Sequence, residues 1–202
     1  MDDELRRARR QASSGALDDQ VALLVEQLRA GALTVDELRA RAQARDPAAR
    51  AAHRQQYAGA RTYSDYTWRD DTLAQLFQGA PIHHFERTFL PGDRIVPIRH
   101  DHERGGLWIF GSVLLDELVP SATGAERNVQ QLAAVVVEHP LRPRAAPRAL
   151  LEAWRYRRTL GGQDRPLRPL EDGKLTRATY VQGRYLLTPE TARAVVELLA
   201  AT

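Results

Sequence analysis

The side chains in this chain that could do chemistry are few in kind. There is no cysteine, so thiol nucleophiles and thiolate-bound zinc are excluded, and metal or acid–base chemistry falls to six histidines and the carboxylates. The densest set of potential ligands is His100-Asp101-His102-Glu103. In an extended segment alternate side chains share a face, so His100 and His102 could hold one metal ion between them, with Glu103 or His84 completing the shell. The spacing matches no zinc-hydrolase signature, and a polar turn between two strands accounts for the same four residues more simply. No nucleophile elbow, Walker loop or dinucleotide fingerprint occurs. Ser112 follows a glycine, but no second glycine stands two residues on, so it is not read as a nucleophile. Asp116 and Glu117 adjoin an apolar run and are expected to end a strand rather than to work as an acid–base pair. These residues imply no cofactor, and no catalytic centre is read from them.

The stronger chemical signal is charge. The net charge is only +3, yet residues 141–184 hold eleven basic side chains against four acidic ones. Lys174 is the sole lysine, so nearly all of this charge is guanidinium, which binds phosphate in bidentate fashion and stacks on bases. A GC-rich coding sequence would also favour arginine, so charge alone leaves open whether the excess serves a polyanion. Arg155, Arg157 and Arg158 interleave with Trp154 and Tyr156, the mixture expected of a nucleic-acid surface and equally of a solvated amphipathic helix. Tyr63, Tyr66 and Trp68 crowd into a polar stretch where exposed aromatics would be informative.

Positioning these residues falls to two regions, 1–59 and 60–202. The first reads as helices throughout. Leu17, Val21, Leu24, Val25 and Leu28 recur at helical spacing before Gly31, and Thr34-Val35-Asp36-Glu37 is a capping box. Asp46-Pro47 opens a further helix, with aspartate at the N-cap and proline where its missing N–H costs nothing. These alanine-rich helices carry few large apolar residues and need the rest of the chain, or a partner, to pack against. From Gly59 onward a short helix over 70–78 precedes strand signals at 82–90, 94–100, 107–110, 113–119 and 132–137, the last expected to be buried. Gly111 marks a bend. Helix is expected again over 148–158, a strand over 179–187, and a C-terminal helix after Thr188-Pro189 with Ala192, Val195, Val196 and Leu199 inward. The order is that of an α+β protein without βαβ alternation.

The run Phe89-Leu90-Pro91-Gly92-Asp93-Arg94-Ile95-Val96, followed by Gly105-Gly106-Leu107-Trp108-Ile109-Phe110-Gly111-Ser112-Val113, resembles the strand, PGDR turn and glycine-bent strand of the PUA-like superfamily, with ASCH and EVE domains as its nearest members. The ending Gln182-Gly183-Arg184-Tyr185-Leu186-Leu187-Thr188-Pro189-Glu190 is similar to the last strand and helix of such domains. The resemblance covers about residues 61–202. It implies a curved, mostly antiparallel β-barrel with flanking helices, which binds RNA or DNA carrying a modified base without catalysis. A flipped or single-stranded base would stack on Tyr63, Tyr66, Trp68 or Trp108, and phosphates would lie on Arg94, Arg155, Arg157, Arg158, Arg177 and Arg184. The lysine-centred site of ASCH amidohydrolases has no equivalent, since Lys174 sits in a Gly/Pro-rich stretch. Two other readings stay open: a bacterial interaction or immunity protein that meets an acidic protein partner, with the N-terminal helices as docking surface, and a metal-dependent hydrolase at His100 and His102. No apolar run is long enough to span a membrane and the acidic start is unlike a targeting peptide, so a cytoplasmic location is expected.

Overall fold

The structure is a computed structural model that describes residues 3–67, 69–78, 82–84, 89–101, 103–120, 131–158, 161–167 and 184–201. The N-terminal region is helical as expected: α1 (Asp3–Ala12), α2 (Leu17–Arg29), α3 (Val35–Gln43) and α4 (Pro47–Tyr57). Local chemistry sets their ends. Thr34 Oγ1 accepts from the Glu37 N–H at 3.2 Å while the Thr34 N–H donates to the Glu37 carboxylate at 2.8 Å, which holds that carboxyl below its ordinary range. Asp46 accepts from the N–H groups of Ala48 and Ala49 at the start of α4. The helices α2 and α3 end in the same double hydrogen bond, 6→1 and 5→2, with the residue after the cap in left-handed backbone. That residue is Gly31 after α2 but Arg45, at φ 70°, after α3.

The helical core is Val21, Leu24, Leu33, Leu38 and four alanines, and Leu90 from the second region completes it. The expectation that these helices lean on the rest of the chain is met here.

The second region contains β1 (Thr62–Tyr66), α5 (Asp70–Phe77), β2 (Ile82–His84), β3 (Arg94–Asp101), β4 (Gly106–Ile109), β5 (Ser112–Pro120) and β6 (Gln131–His139). It continues with β7 (Arg144–Ala145), α6 (Arg148–Ala153), β8 (Arg155–Arg157), β9 (Arg165–Pro166), β10 (Arg184–Leu187) and α7 (Pro189–Ala200). The class is α+β. The strands form one sheet in the order β2-β6-β5-β3-β1-β10-β8-β9, with β4 branching from β3 and β7 from β4. Among the described residues the outer strands β2 and β9 do not meet, so the sheet is open and the expected barrel closure is not seen. Pairing is antiparallel except between β1 and β3, a parallel pair joined across α5 that the pattern of strands and helices did not predict.

The branch has a local cause. The first residues of β3, Arg94 and Ile95, pair with β5, and its last four pair with β4. Pro97 lies between, where no N–H is required, and its carbonyl accepts from Phe110 N–H. Gly111, at φ 101°, turns the chain from β4 into β5 so closely under β6 that a Cβ would stand 2.6 Å from the carbonyl oxygens of His139 and Pro140. One face of the sheet packs Val96, Ile98, Leu107, Ile109, Tyr156 and Tyr185 against α6 and α7. The other packs Tyr63, Phe89, Ile95, Val113, Leu115 and Val135 with Leu76 of α5.

Four expectations are corrected. The helix from Arg148 stops at Ala153, because Trp154 and Tyr156 are buried alternately with the arginines, a period of two that belongs to β8. The run 132–137 is a strand but not a buried one: Val136 and Val137 are 52% and 37% exposed. The strand β5 continues through Asp116 and Glu117, which bulge instead of ending it, since Leu115 faces Val135 while Glu117 faces Ala134. The run 82–90 is a strand at Ile82–His84 but not at Phe89 and Leu90, and its residues 85–88 lie outside the described residues.

Candidate nucleic-acid interface

The strand β8 exists because its apolar residues face one way. Tyr156 enters the core beside Tyr185, ring centroids 4.9 Å apart, so Arg155 and Arg157 must face the opposite side. On β10 the same alternation buries Tyr185 and Leu187 and turns Arg184 to that side. The register places Arg157 opposite Leu186, so Arg184 lies on the diagonal from it. Three of the arginines read from the sequence thus share one face of two adjacent strands, and Arg158, which is exposed, follows directly. On the neighbouring edge strand β9, Arg165 is exposed as well, but it pairs with Tyr156 and so belongs to the other face.

Each arginine of the ribbon has a local partner that aims it. Arg155 donates through Nη1 to the carbonyls of Glu152 and Trp154, both at 2.9 Å. Arg157 pairs with Asp164, whose carboxyl is held below its ordinary range by that hydrogen bond. Arg184 donates to Asp65 at 2.9 Å and its guanidinium lies 5.5 Å from the Phe89 ring centroid. The Arg157–Asp164 pair is well exposed on both sides, whereas Arg184 is only 17% exposed between Asp65 and Phe89.

The remaining sequence candidates lie elsewhere. Arg94 stands apart: its Nε and Nη2 form a bidentate pair with Glu138 at 2.5 and 2.6 Å, and its Nη1 reaches the Gly59 carbonyl and Thr62 hydroxyl. Tyr63 and Tyr66 are core residues on opposite faces of β1, 4% and 8% exposed, and not the surface aromatics expected of a polar stretch. Burial pushes the Tyr63 hydroxyl up to about 12. Trp108 is half-buried on β4, between Arg99 of β3 and Ala145 of β7. Trp68, Arg177 and His102 lie outside the described residues. His100 is buried at the end of β3, and Asp101 accepts from the N–H groups of Glu103 and Arg104, so this segment is a hairpin turn. Among the described residues no three metal-ligating side chains converge.

Two arrangements escaped the sequence reading. The first is a buried junction between the regions: Arg39 of α3 makes a bidentate pair with Asp93 at 3.1 and 3.2 Å, and Asp93 also accepts from the Leu90 N–H. Arg39 touches His53 Nε2 at 3.1 Å, and because a guanidinium only donates, His53 is the neutral tautomer that donates from Nδ1 to the Pro91 carbonyl at 2.8 Å. Burial is the main cause of its lowered pKa. The PGDR turn is therefore clamped by the helical region.

The second arrangement is Ser112, Glu138 and His139. Ser112 Oγ donates to Glu138 at 2.8 Å and lies 2.7 Å from His139 Nδ1. The carboxylate and the hydroxyl approach the same ring nitrogen, whereas a catalytic triad needs them on opposite ones, and Ser112 is fully buried. Burial pushes Glu138 upward, but Arg94, Ser112 and His139 outweigh it and hold the carboxyl below its ordinary range. Glu138 reaches this position on a β-bulge, since Ser112 faces His139 and Val113 faces Val137. No sequence signal marks either bulge or a partner 54 residues away, as Asp93 is from Arg39. Among the described residues no helix is long and apolar enough to cross a membrane. No protein-family model and no curated protein matches the chain.

Proposed function

We propose that the chain is a non-catalytic nucleic-acid-binding module whose phosphate-binding surface is the β8–β10 ribbon. The observation that carries this reading is the alternation that sets Arg155, Arg157 and Arg184 on one face of adjacent strands, with exposed Arg158 following directly. Guanidiniums pre-aimed by Asp65 and Asp164 lose little side-chain entropy on meeting phosphate oxygens. In this reading RNA, or DNA with a modified base, is bound along the ribbon, and half-buried Trp108 is the stacking residue left among the described aromatics. The turn at Pro91–Asp93 and the bend at Gly111 support a PUA-like strand arrangement within this reading.

The test is fluorescence anisotropy with labelled single-stranded RNA, single-stranded DNA and duplex DNA at about 50 and about 200 mM salt, where polyanion contacts separate clearly. Binding that weakens steeply with salt, and that the triple variant Arg155→Ala, Arg157→Ala, Arg184→Ala weakens further at low salt, is the expected result. No binding at low salt would overturn the reading.

A further inference from the structure

A cavity of about 280 Å³ lies between α4 and β5, at the seam of the two regions and separated from β8 in the sheet by β3, β1 and β10. One wall is cationic. Arg50 and Arg54, one helical turn apart on α4, line it together with Arg45, which precedes that helix. The opposite wall is anionic, with Asp116 and Glu117 of β5. Leu17 and Pro91 supply apolar surface between them.

Three departures from ordinary local chemistry meet in this cavity. Arg45 occupies the left-handed position after α3, where a Cβ is unfavourable and the equivalent residue after α2 is Gly31. The bulge leaves Asp116 out of the ladder, and it lines the cavity together with the next residue, Glu117, which pairs with Ala134. Arg45 and Arg50 are neighbouring like charges on the cavity lining, and burial, with a smaller contribution from Arg45, lowers the pKa of Arg50. Each feature sets a charge on the cavity wall.

Arg54 pairs with the Asp116 carboxylate at 3.0 Å and donates to the Asp116 carbonyl at 3.2 Å, which ties α4 to the bulge. Arg50 donates from Nε to the Ala42 carbonyl. Among the described residues Arg45 and Glu117 make no ion pair, and they stand on opposite walls.

We infer that this cavity is a binding site for a small zwitterion, with its oxyanion group on Arg45 and Arg50 and its ammonium group on Glu117. An anion alone would meet the Asp116 and Glu117 carboxylates as well as the arginines, and a cation alone would meet the reverse. A ligand carrying both signs meets both walls at once.

Isothermal titration calorimetry on the full chain tests this with phosphoethanolamine and the ω-amino acids from glycine to 6-aminohexanoate. Inorganic phosphate, acetate and ethylamine serve as the separate halves. At least one zwitterion is expected to bind about tenfold or more tightly than any half, the worth of one added charge-assisted hydrogen bond. Glu117→Gln and Arg45→Gly are each expected to lose about tenfold of that affinity. The second substitution separates binding from folding, because glycine relieves the left-handed backbone and raises Tm by roughly 2–4 °C. Binding of no zwitterion more tightly than phosphate or acetate would overturn the inference. So would tight binding that both substitutions leave unchanged.

Discussion

The Arg39–Asp93 pair and the Arg157–Asp164 pair join the same two residue types, yet they do different work. The first is buried on both sides, completed by His53 and the Leu90 N–H, and spans the seam between helices and sheet. The second joins β8 to the residue before the edge strand β9, with both partners open to water. Burial decides the difference. An ion pair that cannot be solvated leaves a stranded charge when broken, so it acts as a clamp, whereas an exposed pair is worth little to the fold and leaves its arginine available to another anion.

The strongest way to break this comparison is to remove the buried acid. Asp93→Ala is expected to cost about 3–5 kcal/mol in urea denaturation, because it strands the Arg39 guanidinium and the Leu90 N–H. Replacing Arg39 and Asp93 together with apolar residues should cost less than Asp93→Ala alone, since no charge is then left buried. Next in size is the ribbon. The triple arginine variant should reduce the slope of log K against log salt by about 3, one unit for each lost phosphate contact. Its unfolding midpoint should fall modestly, because Arg184 is the one of the three that is largely enclosed, between Asp65 and Phe89.

The junction also has a pH signature. His53 is lowered mainly by burial, so the folded protein resists its protonation while the unfolded chain takes up the proton below about pH 6.5. The unfolded state then binds more protons, and stability falls as pH drops from about 6.5 toward the folded value. The urea midpoint should be lower at about pH 5.5 than at about pH 7.5, and His53→Asn should narrow that gap. Glu138, held low, acts in a separate window: its contribution is lost as pH falls below the ordinary value of 4.5. The smallest effect is at the surface. Asp164→Ala should tighten polyanion binding by a few fold at low salt while shifting stability by less than about 1 kcal/mol, because it frees Arg157 from a solvent-exposed partner.

What the sequence made legible was local. The Thr34–Glu37 box, the Asp46 cap and the turn at Pro91–Asp93 are decided by side chains within three or four residues of one another, and all are found where the pattern put them. The ribbon is half legible: its arginines and aromatics interleave visibly, but the helical residues just before them extend the helix pattern through Arg155–Arg157. Only pairing with β10 makes the period of two decisive. The Glu138 and Asp116 bulges, the parallel β1–β3 pair and the Arg39–Asp93 clamp all depend on partners distant in the chain, and hydrophobic periodicity carries no record of those.

The branch at β3 has a kinetic consequence. That strand is held by β1, β4 and β5 at once, and β1 and β3 are brought together only after the chain has passed through α5 and β2. No hairpin can form the centre of this sheet by itself, so the loop entropy of a long closure must be met before its contacts reward it, and slow folding follows. Once formed, the amides of Ile95 and Val96 open only with the whole sheet, and in native-state hydrogen exchange they should be among the last to take up deuterium.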